Sequence, residues 1–129
     1  GEVTSVCISA DGNTIVSSSN DGTVRIWNKD GALRAICNGH TGEVISVGIT
    51  PDGNTIVSAG SGKGVVGVWN NEGIQLAECN CYIDVVCTVC ISLDGNTIVS
   101  GSYDNIVRVW NIEMLGTLKN MNAEQAQRI

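Results

Sequence analysis

Short runs of β-branched and small residues alternate along the chain with breaks built on Asp-Gly and Asn-Gly. Residues 3–8, Val-Thr-Ser-Val-Cys-Ile, are dense in β-formers, and the turn residues at 10–13 end the run. A second strand is predicted at 14–18 and a third at 23–27, separated by Asn20-Asp21-Gly22. A fourth is predicted at 32–37, after the turn at 28–31. Glycine accepts the positive φ that tight hairpin turns require, so each break reads as a reversal of chain direction. Four strands with three short turns make an antiparallel meander. The pattern then repeats, with strands predicted at 44–50, 55–59, 65–69 and 74–79, and again at 85–92, 97–101, 106–110 and near 115–119. Residues 120–129 fall beyond it, and Ala123-Glu124-Gln125-Ala126-Gln127 is expected as a frayed helical end or a disordered tail.

The repetition is literal in one phrase. Asp-Gly-Asn-Thr-Ile-Val-Ser stands at 11–17, 52–58 and 94–100, and a tryptophan follows each copy at Trp27, Trp69 and Trp110. The copies are 41 and 42 residues apart, and the steps from Asp to Trp are 16, 17 and 16 residues. A period of about 40 residues marks a repeat architecture, in which a unit too small to bury its own core stacks on its neighbours. Composition supports strands: 43% of residues are hydrophobic, yet there is no Phe and the apolar content is mostly Val, Ile and Ala.

These residues carry a family resemblance. Asn38-Gly39-His40, Ser58 and Trp69-Asn70 resemble the Gly-His and Trp-Asp markers of WD40 repeats, with Trp-Asn in place of Trp-Asp in all three units. Val24-Arg25-Ile26-Trp27 and Val107-Arg108-Val109-Trp110 are similar to the family's third strand. The resemblance covers residues 2 to about 119. It implies an all-β fold of three four-stranded antiparallel WD40-type blades forming a partial β-propeller. The blades are placed at about 2–38, 43–79 and 85–119, within one WD40-repeat region spanning 1–129, and 120–129 are left as a C-terminal tail. The resemblance also implies a structural hydrogen-bonded network of His, Ser, Asp and Trp in each blade. Unit one supplies Ser17, Asp21 and Trp27; unit two supplies His40, Ser58 and Trp69, with Lys63 in the Asp place; unit three supplies Ser100, Asp104 and Trp110, with Tyr82 in the His place. With its Asp missing and one residue added, the loop at 60–64 is expected to be the loosest of its kind.

Closed propellers use about four to eight blades, so three leave two blade faces rich in Val and Ile. Such faces would seek partners, and the chain is expected to sit within a longer protein or to assemble with other copies. The Gly at position 1, where Met would start a gene product, points to a fragment or a processed piece.

Charge narrows the partners. Thirteen acidic and seven basic side chains give a net −6 without a block of either sign, whereas a nucleic-acid binder needs a basic patch to displace phosphate counterions. No stretch reaches the roughly 20 apolar residues of a membrane-spanning helix, so nucleic acid and membrane insertion are set aside.

Candidate chemistry is thin. Cys79-x-Cys81 followed by Cys87-x-x-Cys90 has the look of zinc-ligand spacing, but Cys87 and Cys90 are three apart and point to opposite faces of one strand. The repeat aligns Cys90 with Cys7 and Cys79 with Cys37, positions suited to small buried side chains, with disulfides as the remaining alternative. Unpaired thiols suit a reducing interior, so an intracellular, cytoplasmic location is expected. Gly60-Ser61-Gly62-Lys63-Gly64 lacks the first Gly and the Ser/Thr of a phosphate loop, and the Asp-Gly-Asn turns lack the ligand spacing of a calcium loop. His40 is already assigned to the network. No catalytic residue, metal or cofactor is therefore expected, and the chain is read as a non-enzymatic scaffold.

Since function is carried by loops on a rigid frame, the rim with the turn after strand two and the loop before strand one is the expected protein-binding surface. Its candidate residues are Asn20, Thr41, Ser61, Lys63, Tyr82 and Tyr103. The two tyrosines lead, because exposed aromatics anchor protein contacts. The plainer alternative is that Tyr82 fills the His place and Tyr103 covers a turn. The competing function is a structural assembly component, whose blade faces complete a ring or filament with further blades from the same or another chain.

Overall fold

The computed structural model describes residues 1–81, 83 and 85–112, together with the backbone of 120–122 and 127–128. Tyr82 and the strand expected at 115–119 lie outside these residues. The described chain is all-β.

Strands β1 (Val3–Ile8), β2 (Thr14–Ser19), β3 (Val24–Asn28) and β4 (Leu33–Cys37) form the first sheet in chain order, each antiparallel to the next. The second sheet joins β5 (Val44–Ile49), β6 (Thr55–Gly60), β7 (Val65–Asn70) and β8 (Gln75–Asn80) in the same way. In the third, β9 (Val86–Ile91), β10 (Thr97–Ser102) and β11 (Val107–Asn111) are followed at the edge by β13 (Gln127–Arg128). Between them, β12 (Asn120–Asn122) pairs parallel to β8 and widens the second sheet to five strands. The described residues of the C-terminal stretch, 120–122 and 127–128, are strand, and residues 123–126, where a frayed helical or disordered end was expected, lie outside the described residues. The outer edges of β8 and β11 offer rows of unpaired backbone N–H and C=O groups, and pairing there satisfies them.

The phrase that repeats in the sequence is a self-contained turn. Asp11 Oδ1 accepts from Ser9 Oγ at 2.7 Å and from the Asn13 amide at 2.9 Å, while Ser9 Oγ accepts the Thr14 amide at 3.1 Å. The same three bonds recur with Thr50, Asp52, Asn54 and Thr55, and with Ser92, Asp94, Asn96 and Thr97. The glycine after each Asp has φ between 75° and 77°, a left-handed conformation that is costly for a residue with a Cβ. Hydrogen bonds to the carboxylate hold Asp11, Asp52 and Asp94 below the ordinary carboxylate pKa.

The sheets stack face to face. Val16, Val24, Ile26 and Cys37 of the first sheet pack with Val44, Val47, Ile56 and Trp69 of the second. The second sheet's opposite face, with Val57, Ala59, Val66, Val68, Ala77 and Cys79, packs on Val86, Val89, Ile98 and Trp110 of the third. The middle sheet is therefore covered on both sides, and β6 and β7 are buried along almost their whole length. In β1 the alternation leaves Thr4, Val6 and Ile8 exposed and Ser5 and Cys7 half-buried, because among the described residues that sheet has a neighbour on one face alone.

Cysteine burial departs from expectation in one strand. Cys37, Cys79 and Cys81 are buried, Cys7 and Cys87 partly so, and Cys90 is exposed; all six are free thiols. Cys90 pairs with Val99 on the face of the third sheet that no other sheet covers, so it does not become a core residue. Burial raises the thiol pKa of Cys79 to about 12, and of Cys7, Cys37 and Cys81 to about 11, which keeps these side chains neutral.

Candidate functional site

In each sheet the tryptophan of the third strand donates its indole N–H to the serine that closes the repeated phrase. Trp27 Nε1 lies 3.0 Å from Ser17 Oγ, Trp69 Nε1 2.8 Å from Ser58 Oγ, and Trp110 Nε1 3.1 Å from Ser100 Oγ. In the second sheet His40 extends the chain, with Nε2 2.7 Å from Ser58 Oγ and its ring tilted against Trp69 at 6.3 Å between centroids. His40 Nδ1 is buried without a partner.

The aspartates do something the family markers did not reveal. Asp21 binds the Thr23 amide and hydroxyl and lies 3.7 Å from Arg25; Asp104 accepts from Ser102 Oγ and the Ile106 amide and pairs with Arg108 at 2.8 Å. Each carboxylate is held far below its ordinary pKa, Asp21 chiefly by the Thr23 hydroxyl and Asp104 chiefly by the Arg108 guanidinium. The signal was in the sequence: Asp and Arg stand four apart in units one and three. In unit two both partners are gone together, replaced by Lys63 and Gly67. Gly67 pairs across from Ser58 as Arg108 does from Ser100, and a Cβ there would sit 2.8 Å from Trp69 Nε1 and 2.9 Å from Ser58 Oγ. The glycine leaves room for the tightly joined His40, Ser58 and Trp69, whereas units one and three use a cation at that position.

Burial lowers the pKa of His40 to about 4, from an ordinary 6.5. The neutral ring is favoured in the folded chain, while the unfolded chain takes up a proton below pH 6.5. Stability should therefore fall as pH drops through the window from 6.5 to 4, by about 2 kcal/mol between pH 7.5 and 5. Urea denaturation at the two pH values should show this loss, and His40→Gln should remove most of it. An unchanged pH dependence in the variant would assign the effect to other groups.

The rim candidates fall into two kinds. Asn20 and Ser61 spend their polar atoms within the chain: Asn20 Oδ1 accepts the Glu2 amide at 2.9 Å, and Ser61 Oγ accepts the Glu43 amide at 3.1 Å. In the loop at 60–64 the Ser61 amide binds the Glu43 carbonyl, a bond that Asn20 and Tyr103 also make, to Glu2 and Val85, and the Gly64 carbonyl accepts the Cys81 amide. Thr41, Lys63 and Tyr103 are exposed. Tyr103 is 72% accessible at the tip of a turn pinned by Asp104 below it and by Asn105 in the left-handed region at φ 65°. Its own amide reaches the Val85 carbonyl at 3.4 Å. The equivalent turns carry Asn20 and Ser61, whose amides bind the Glu2 and Glu43 carbonyls in the same way, so the three tips differ in chemistry on a shared frame.

Among the described residues, no three or more His, Cys, Asp or Glu side chains converge as metal ligands would, and no helix is long and apolar enough to cross a membrane.

Comparison with known proteins agrees with this architecture. The family model described as "WD domain, G-beta repeat" matches residues 1–28, 31–70 and 75–111. A WD repeat-containing protein 3 homolog from Dictyostelium discoideum is 50% identical over 42 residues, which are 32% of this chain. The matched stretch covers 4% of that relative's length.

Proposed function

We propose, from the premise that this chain belongs to the WD40 repeat family, that it is a non-catalytic scaffold whose rim loops bind a protein or peptide partner. WD40 repeats are generally protein-interaction scaffolds, and the family is typically non-catalytic. The observation that carries the rim reading is Tyr103. A large aromatic held in the open by a hydrogen-bonded turn offers contact area at low entropic cost, because the turn is ordered before any partner arrives. Thr41 and Lys63 are exposed on the neighbouring loops, while Asn20 and Ser61 support those loops from beneath. Tyr82 lies outside the described residues and stays a sequence-based candidate.

The six free thiols, four of them held neutral by burial, suit a reducing compartment, and the reading places the chain inside the cell, in the cytoplasm. Partners made of nucleic acid are disfavoured by the net −6.

Peptides selected from a displayed random library on the immobilised chain provide a direct test. Tyr103→Ala is expected to weaken their binding at least about tenfold with an unchanged circular dichroism spectrum, as for an interface anchor. Undiminished binding would remove Tyr103 from the site. A second reading, assembly through the blade faces, is favoured by a different observation: Trp27 stays partly exposed where Trp69 and Trp110 are buried.

A further inference from the structure

Among the described residues, the same sheet-to-sheet contact is made twice and one copy of each contacting surface is left open. The first surface carries the tryptophan. In the second sheet it is the row Ile49, Ile56, Trp69, and in the third the row Ile91, Ile98, Trp110, aligned across the strands. The second surface is smoother, made of Val, Ala and Cys: Val16, Ile26 and Cys37 on the first sheet, and Val57, Val68 and Cys79 on the second. A tryptophan surface meets a smooth surface at both junctions.

The first sheet's own tryptophan surface has no neighbouring sheet among the described residues. Its row runs Ile8, Ile15, Trp27, Leu33, with Val6 and Ile36 in the row beside it. Ile15 and Trp27 are partly exposed where Ile56 and Trp69, at the matching places in the second sheet, are buried, and Ile8 is 56% exposed where Ile49 is half-buried. At the other end of the stack, the third sheet's smooth surface, with Cys90, Val99, Val107 and Val109, has no neighbouring sheet among the described residues, and Val107 is 40% exposed.

We propose that these two open surfaces take each other, between two copies of this chain joined head to tail. The two Asp–Arg pairs show what covering does. Arg108 sits inside a made junction, 2% exposed and 2.8 Å from Asp104, whereas Arg25, at the same place on the open surface, is 38% exposed and 3.7 Å from Asp21. Residues that the internal junctions bury are already present on the open surface and arranged in the same register. A second copy supplies the complementary surface without any further adaptation. The contact is heterologous, so each copy uses a different face, and such contacts either close into a ring or run on as a filament. Two copies bring together six sheets, a number within the range of about four to eight blades in closed radial arrays.

Light scattering coupled to size exclusion tests this on the 129-residue chain. The expected species is a closed dimer of about 27 kDa, twice the 13.5 kDa chain. Ile8→Lys on one surface and Val107→Glu on the other should each give monomers, with circular dichroism unchanged because both side chains are exposed. Mixed together, the two variants should form a one-to-one complex, since Ile8→Lys keeps an intact smooth surface and Val107→Glu an intact tryptophan surface. A monomeric wild-type chain overturns the proposal. So does a Val107→Glu variant that still dimerises alone, which would mean that like surfaces pair. The outcome is separable from the rim reading: a monomer that captures peptides through Tyr103 would remove the head-to-tail contact and leave that site intact.

Discussion

Trp69→Ala is expected to lower the stability of the chain by about 3–5 kcal/mol, the range for removing a fully buried aromatic side chain. Trp69 is 1% exposed and stands at the junction of the first two sheets, against Val16, Ile26 and Cys37. Truncation empties this position, and Ser58 loses the indole donor at 2.8 Å. The matching change at Trp27, made where the chain is monomeric, should cost nearer 1 kcal/mol, because one side of that ring faces solvent. Denaturant midpoints followed by circular dichroism give both values. Equal losses at the two positions would mean that Trp27 is as well covered as Trp69, and that the first sheet has no open surface.

Asp104→Ala is expected to be nearly as damaging, for an electrostatic reason. Arg108 is buried in the junction of the second and third sheets, with Asp104 at 2.8 Å and Ser102 Oγ at 2.8 Å as its acceptors, and its Nε has no partner. Removing the carboxylate leaves a buried cation with one neutral acceptor, at a cost of about 3 kcal/mol or more. Arg108→Met in the same chain should restore most of the loss, since an apolar side chain fills the space without a charge to solvate. The second sheet, with Gly67 and Lys63 at these places, shows that the fold does not require the pair. Asp21→Ala, by contrast, should change stability by less than about 1 kcal/mol, because Arg25 is solvated and 3.7 Å away. A double variant no more stable than Asp104→Ala would show that the aspartate acts through its turn and not through the arginine.

The strands were legible in the sequence because two independent signals coincided: β-branched alternation set the runs, and Asp-Gly-Asn set where they reverse. Less legible was anything that depends on which sheet lies next to which. Cys7 and Cys90 hold equivalent places and point to equivalent faces, yet Cys7 is half covered by the second sheet while Cys90 looks outward from the last one. A repeat fixes the face of a residue; its position in the stack fixes whether that face is buried. The Asp–Arg pairs are less legible, because a spacing of four residues does not by itself say that the two side chains meet across a turn and the strand after it. At the rim, Asn20 and Ser61 looked free as sequence, since nothing local reveals that their side chains bind the segment leading into the first strand of their own sheet, 18 residues earlier.

The turn shared by the three copies has a kinetic consequence. All of its bonds fall within six residues, from Ser9 to Thr14 and their counterparts, so it can form before any sheet meets another. Hairpins of this kind close in roughly microseconds, whereas stacking must bring together residues some 40 positions apart and is slower. The chain thus reaches three ready-made hairpins early, all alike at their turns. The order in which they settle is left to the side chains that differ between them, Gly67 with His40 in one and Arg108 with Asp104 in another.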